Sequence, residues 1–524
     1  MSSKKRSLDL YLMEAYKQFI AIKDEDFTQA KEVFKVVFEE VKLKMGEQCN
    51  YFKKYSSQIT YAGSVYDGIK VSKMDEFDMD IVIRLPINYD QSENGIIIEN
   101  EQPGFVKMKI MNAFDHLDKQ QDWEKCHKVT RDWRDSEKYF LQNKFRQWLH
   151  GIVQKALNAM DGTVTVFDVV YLLTYKESGP AYTLNIRNNK GNKDFTLDVD
   201  LVPVIKFMFP RAPEGYRVIE GAKAKDWFVV PKPNKDLKDN VLKNRCWRLS
   251  FQEQERELIK GCKALKTTIR LLKKLRDSLA MKAIASYYIK TLFLWKREDT
   301  KHDNTFWQKK VSELFRIMVQ VLHDAIKDKK IMFFWNEHHN LIGNLKPSLQ
   351  KLYTDKLKDV LDNINANNVD KVVSLLLTTD EWREFQNSDI YQKQANLTPD
   401  VLSQSCSLID SVKAESTLSE EVKSLADELD GLRDSNASNE KFTELEFKIN
   451  DLADRVSVIE ERLAVLEDRS GGITERLQRL EMESGKSQVS NGASSLDSGD
   501  NLTDCLQTLT TLDLKDLSYN IQTA

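Results

Sequence analysis

Apolar residues return at helical spacing from the start of the chain: Leu10, Met13, Tyr16 and Phe19, then Phe27, Ala30, Val33, Val37, Val41 and Met45. Steps of three and four keep side chains on one face of a helix, so residues 8–58 are predicted to be helical. Asp26 or Thr28 is a candidate cap for the second helix of this stretch. The rhythm changes at Gly63-Ser64. Residues 77–85 read as a strand stopped by Pro86, and residues 86–104 as a loop containing NYDQSENG and Pro103-Gly104. Helical spacing resumes over 136–160. Residues 163–175, 182–187 and 195–207 are β-branched and aromatic and read as strands, the last two joined by an Asn/Gly turn at 188–192. From about 250 to about 390 the pattern is helical throughout, including one helix over 251–280. A mixed sheet followed by helices predicts a two-lobed α+β architecture. Residues 1–245 would be a sheet core with the long helix as its spine, and residues 246–395 a helical lobe, with the ligand site in the cleft.

Beyond this body the pattern is of another kind. Residues 396–440 are rich in Ser, Asn and Asp and read as a linker. Over 441–482 apolar residues from Phe442 to Leu480 keep a strict 3-4 spacing interrupted only by Ser470. With Phe442 at position a, Arg455, Arg462 and Arg476 fall at g, and Glu460, Glu467 and Glu481 at e of the following heptad. That charge register predicts a parallel coiled coil and hence a homo-oligomer. Residues 483–524, rich in Ser, Asn and Gly, read as disordered.

Composition narrows the class. The 524 residues suffice for two or three domains, and 41% apolar content fits a globular protein. No apolar run approaches the roughly 18 residues that span a bilayer, and MSSKKRSLDL lacks an apolar signal segment. No membrane partner is expected. The six cysteines are scattered without a CxxC pair, which predicts a reducing, cytoplasmic setting and no disulfide framework. The net charge of −3 conceals an asymmetry: residues 396–524 carry −14 and the body +11. A basic body suggests a polyanionic partner.

The candidate chemistry lies in Gly63–Pro86. Glu76, Asp78 and Asp80 stand at every second position of a strand and so share one face. Three carboxylates among apolar neighbours need a counter-charge, and a hard divalent cation is the usual one. A second acidic pair, Asp198 and Asp200, lies on another apolar strand. Gly63-Ser64 can offer backbone N–H groups and a hydroxyl to phosphate. A phosphate-holding turn, paired acids twelve to fourteen residues on, and a distant acidic strand together predict a two-metal nucleotidyl transfer site.

Here the sequence resembles the cyclic GMP–AMP synthase-like receptors. Their pattern of Gly-Ser, a short activation loop and Glu-Phe-Asp matches Gly63-Ser64 and Glu76-Phe77-Asp78, and the third acid carries onto Asp200 in VDLVP. The resemblance implies a nucleotidyltransferase fold that uses two Mg²⁺ or Mn²⁺ ions, bound by Glu76, Asp78 and Asp200, to make a cyclic dinucleotide from ATP and GTP in innate immunity. Asp80 is then auxiliary, although a pairing of Asp78 with Asp80 stays open. Trp247–Phe251 resembles the WRLSF segment, in which Arg248 would face a nucleobase while Trp247 reads as core. In the Ser-Tyr-x-x-Lys-Thr segment, Tyr287 would stack on a base, with Ser286 and the upstream Lys266 on nucleotide. The similarity runs over about residues 8–390. A Cys-rich zinc thumb would follow WRLSF in vertebrate relatives, but residues 251–266 read as one helix containing only Cys262, so no structural zinc is expected. Its lack shifts the expected ligand from DNA towards double-stranded RNA, or towards a ligand that is not nucleic acid. Lys263, Lys266, Arg270, Lys273, Lys274 and Arg276 on one helix, and Lys42, Lys44, Lys53 and Lys54 on the spine, are the candidate phosphate contacts. The competing reading is a catalytically silent interaction protein working through this basic face and the coiled coil.

Overall fold

The long N-terminal helix is three helices: Leu8–Ala15, continued by a π turn over Tyr16–Ile20, then Asp24–Gln48 and Asn50–Tyr55. The computed structural model describes residues 6–90, 95–178, 181–188, 195–219 and 221–395. The predicted linker, coiled coil and terminal segment (396–524) lie outside the described residues, as do residues 189–192 of the predicted turn.

The first break lies just ahead of the cap expected at Asp26 or Thr28, with the helix starting at Asp24; the second corrects the reading of the rest, to residue 58, as one element. Ala21 turns extended (φ −65°, ψ 143°), and the helix restarts beneath Asp24, Glu25 and Asp26, acids that a helix N-terminus favours. Cys49 is extended as well (φ −148°, ψ 110°). Apolar periodicity runs through both points, so the pattern alone does not reveal them. The first break redirects the chain. Tyr11 meets Phe385 edge-on at 5.4 Å within the helical lobe, whereas Phe34 of Asp24–Gln48 lies 4.7 Å from Phe77 on the sheet. Nor does the spine lead directly into Gly63: strand β1, Ser56–Ala62, intervenes.

The sheet follows. β2 is Glu76–Ile83. β3 (Ile96–Asn100) and β4 (Phe105–Ile110) form a hairpin whose first strand and turn, with Pro103-Gly104, lie in the segment 86–104 read as a loop. β5 (Thr163–Val166) and β6 (Val169–Ser178) divide the strand expected at 163–175. Phe167 and Asp168 between them have φ of +48° and +63°, the left-handed pair of a two-residue hairpin turn. β7 (Ala181–Asn188) and β8 (Phe195–Met208) stand where predicted, followed by β9 (Asp226–Val230) and β10 (Cys246–Ser250). The order is β3-β4-β10-β9-β8-β7-β6-β5, with β1 on β2 and β2 on β8. β8 is the hub: antiparallel to β7 over 195–201, parallel to β2 over 198–204, antiparallel to β9 over 205–208. Cys246–Ser250, put at the head of the helical lobe by the sequence, is therefore a strand inside the sheet.

The helical lobe holds Gln252–Ile259, Lys263–Ser278, Ser286–Asp299, Val311–Lys327, Pro347–Asn365 and Val369–Leu376. The run 251–280 is broken at Gly261, whose φ of +72° suits a residue without Cβ. Leu265, Ile269 and Leu272 of one helix and Leu314, Met318 and Leu322 of another are fully buried in the lobe's core. Among the described residues no helix is long and apolar enough to cross a membrane.

Candidate active site

Register on the parallel pair β2–β8 builds the site. Asp78 stands beside Asp200, Glu76 beside Asp198, and Asp80 beside Val202. Glu76, Asp78 and Asp200 each bring a carboxylate oxygen to within 4.8 Å of the others. Parallel neighbours in register point to the same face, so acids spaced by two on each strand meet across the seam.

The turn Gly63–Tyr66 closes one side. Ala62 pairs with Asp78, so Gly63 leaves β1 beside that carboxylate. A Cβ on Gly63 would fall 1.6 Å from Asp78 Oδ2, and its φ is +75°. Only glycine lets the backbone pass here. Ser64 follows, and its carbonyl accepts from Ile69 N at 2.8 Å, which folds the start of the loop back on the turn.

Electrostatics mark the cluster as under-neutralised. Burial, then the charges of Glu76 and Asp200, push the Asp78 carboxyl up to about 6, against the opposing pull of Lys70. Burial also raises Asp200, opposed by a hydrogen bond donated by Thr183. The protein's own counter-charge is Lys70, whose Nζ lies 2.9 Å from Asp75 Oδ1 and 3.1 Å from Glu76 Oε2. Nothing in the sequence pattern singles out Lys70; only the fold of the loop brings it to the acids. Three carboxylates, with Lys70 on Glu76 and the more distant Lys176 acting on Asp200, form an oxygen set suited to a hard cation.

Asp80 and Asp198 stand apart from the triad. Asp80 is buried and accepts from Gln252 Nε2 at 3.0 Å; burial pushes it up to about 7. Asp198 accepts from Asn185 and lies 4.0 Å from Lys176 Nζ. Across the seam, Asp78 has Asp200 beside it, whereas β8 sets the apolar Val202 beside Asp80.

The nucleotide-binding candidates gather on the helical side. The Tyr287 hydroxyl donates to Glu255 Oε1 at 2.7 Å, and its half-buried ring lies 6.2 Å from that of Phe333. Arg248, on β10, sits 6.0 Å above the Phe105 ring. Lys266 lies against the loop that follows the Gly63–Tyr66 turn: its Nζ would lie 3.1 Å from a Cβ on Gly68. Ser286 is exposed and accepts from Arg276 at 2.6 Å. Trp247 is core, as read, and donates to Phe140 O at 2.9 Å.

The basic helix departs from expectation. Lys273 and Lys274 are buried rather than on an exposed face. Lys273 Nζ donates to Ile69 O at 2.6 Å, and burial with neighbouring cations lowers it to about 8. Lys274 pairs with Glu381 at 2.5 Å. Arg270 lies over the Tyr16 ring at 5.8 Å, and Lys263 is half-buried. On the spine, Lys53 and Lys54 are exposed, Lys42 and Lys44 partly so; Lys54 pairs with Asp122 and Lys44 with Glu47. The helix is broad enough to point cations at the lobe interior, which its spacing alone could not distinguish from solvent.

Residues 65–261 match the Mab-21 protein nucleotidyltransferase domain, and residues 264–359 the Mab-21 protein HhH/H2TH-like domain. A cyclic GMP-AMP synthase-like receptor of Ctenocephalides felis is 33% identical over 403 residues, covering 73% of this chain and 90% of its own. The receptor of Aethina tumida is 33% identical over 372 residues (70% and 89%), and that of Tribolium castaneum 32% over 414 residues (76% and 99%).

Proposed function

The chain belongs to the cyclic GMP-AMP synthase-like receptors, nucleotidyltransferases of innate immune signalling, and from that premise we propose that it joins ATP and GTP into a cyclic dinucleotide on sensing double-stranded RNA. The observation that carries the reading is the in-register placement of Asp78 and Asp200 beside the side-chain-free Gly63. Glu76, Asp78 and Asp200 would hold two Mg²⁺ or Mn²⁺ ions. When bound, such ions neutralise phosphate charge and lower the pKa of an attacking hydroxyl.

The chain's own groups have separate tasks. Gly63 and Ser64 would present backbone N–H groups and a hydroxyl to the triphosphate. The Tyr287 hydroxyl is occupied by Glu255, which leaves the ring face for stacking on a base. Arg248 would meet the base from β10, and Lys266 and Ser286 would flank the nucleotide. Lys42, Lys44, Lys53 and Lys54 on the spine, with Lys263 and Arg270, would neutralise phosphates along a duplex read by shape. Lys273 and Lys274 are left out, since both ammonium groups are committed inside the protein. The coiled coil would bring copies together in the cytoplasm.

The test is incubation with ATP, GTP and Mn²⁺, adding double-stranded RNA, double-stranded DNA or neither, and resolving products by chromatography and mass spectrometry. A cyclic dinucleotide formed only with RNA, and lost in Glu76→Gln/Asp78→Asn, is expected. No product under any condition would leave the silent interaction protein as the better account.

A further inference from the structure

We propose that Lys290 is a positioning residue for nucleotidyl transfer, tying the Gly63-Ser64 turn and the Tyr287 ring to one buried ion cluster with Asp67 and Glu255. The inference rests on the nucleotidyl transfer reading above and adds to it a group that touches no substrate.

All three side chains are about 5% exposed. Lys290 Nζ lies 2.5 Å from Asp67 Oδ2 and 2.9 Å from Glu255 Oε2. The other Glu255 oxygen accepts from the Tyr287 hydroxyl at 2.7 Å and from Trp335 Nε1 at 2.9 Å. The other Asp67 oxygen lies 3.4 Å from Arg256 Nε. Buried charges are a poor source of stability, because desolvation offsets their attraction. What such a cluster contributes is geometry: each member is held only where the others place it.

Its members come from three separate elements. Asp67 closes the turn, with its N–H donating to Gly63 O at 3.2 Å, and Gly68 N and Ile69 N donate to Val65 O and Ser64 O at 3.0 and 2.8 Å. Glu255 lies on Gln252–Ile259, and Lys290 lies on Ser286–Asp299, three residues after Tyr287. Residues three apart on a helix are neighbours. A single ammonium therefore sets the distance between the backbone that would carry triphosphate and the ring that would carry a base. Transfer is sensitive to misplacement on the scale of 1 Å.

Lys290→Met leaves two buried carboxylates facing one another and is expected to fold poorly, so Asp67→Ala carries the test; there Lys290 stays paired with Glu255. In the full-length chain, amide exchange at Gly68 and Ile69 should speed up at least tenfold while β2 is unchanged. With ATP, GTP and Mn²⁺, kcat should fall 10- to 100-fold with KM within threefold, and Asp67→Asn, which keeps an acceptor for Lys290, should restore most of both. Exchange that rises equally in β2, or not at all, or a kcat within twofold of wild type, would overturn the proposal. If wild type forms no product, the nucleotidyl transfer reading fails separately, and exchange alone decides whether the cluster holds the turn.

Discussion

Two stretches stand out by charge, the acidic face of β2 and the basic helix Lys263–Ser278, and they behave in opposite ways. On β2 the charges stay together. Glu76 and Asp78 meet Asp200 across the seam, and burial with mutual repulsion pushes Asp78 up to about 6. On the helix the charges are dispersed into private partnerships: Lys273 on Ile69 O, Lys274 on Glu381, Arg270 over Tyr16. Clustered like charge that the fold leaves under-compensated marks a site. Clustered like charge that finds individual partners marks architecture. Sequence spacing alone shows the clustering and hides the compensation.

The sharpest way to break this contrast is to neutralise one member of the triad. Asp78→Asn should lower nucleotidyl transfer on the order of 10²–10³-fold, the weight of several kcal/mol of lost transition-state stabilisation. It should also stabilise the metal-free protein. A carboxyl raised from 3.8 to about 6 binds more protons folded than unfolded between those values. Folded stability therefore falls as pH rises from about 4 to about 6, and the cost is complete above that. Denaturant melts at pH 4.5 and 7.5, without metal, should show the variant's advantage growing with pH. Equal loss of activity and of stability would put Asp78 among the structural charges.

Next in size is the reverse experiment on the helix. Lys274→Met strands Glu381, about a quarter exposed, without its cation, and should cost about 2 kcal/mol. The salt dependence of RNA affinity should not change. Lys53→Ala should do the opposite: no measurable change in melting, and a salt slope for RNA binding shallower by about 0.9, one phosphate contact. If Lys274→Met alters the slope, its ammonium reaches the duplex and the helix carries a binding face after all.

How far the sequence could be read follows the same division. A strand's period of two is unambiguous, so the shared face of Glu76 and Asp78 was legible, and the apolar run around Asp200 marked it as a partner strand. The helical lobe was legible from its long periodic runs. The first break showed only as a candidate cap at Asp26 or Thr28; those at Cys49 and Gly261 did not show, because apolar rhythm continues through a kink while backbone direction does not. Strand β3 was read as part of a loop because the turn residues around it outweighed the Ile96–Ile98 run. Lys70 and Glu255 left no local signal, and Lys290 stood only as the Lys of the Ser-Tyr-x-x-Lys-Thr segment without a role; Glu255 and Lys290 matter through residues distant in sequence.

The raised Asp78 carboxyl also makes metal affinity depend on pH. Metal ligands must be deprotonated to bind. With Asp78 at about 6, Mn²⁺ affinity should be about tenfold weaker at pH 5 than at pH 7.5, read as a smaller Mn²⁺-induced rise in melting temperature. A shift independent of pH would mean that the metal is held elsewhere.

The smallest expected effect lies one step along the same strand. Asp80 shares the face of Asp78, but Val202 stands beside it where Asp200 stands beside Asp78. Its carboxyl is buried, accepts from Gln252 Nε2 at 3.0 Å, and is raised by burial to about 7. Near neutral pH it is uncharged about half the time, and asparagine then has nearly its shape and keeps an acceptor for Gln252. Asp80→Asn should therefore change the transfer rate by less than about threefold, or about 0.6 kcal/mol. The sign of its stability effect is that of Asp78. Variant and wild type should converge towards pH 4, and the variant's advantage should grow between about 4 and about 7 and stay level above that, since the wild-type carboxyl must take up a proton to be buried neutral and is a buried charge above its pKa. Loss of activity as deep as in Asp78→Asn would put Asp80 in the metal set. The neighbouring strand would then not decide which acids on β2 do chemistry, and the contrast between gathered and dispersed charge would need another basis.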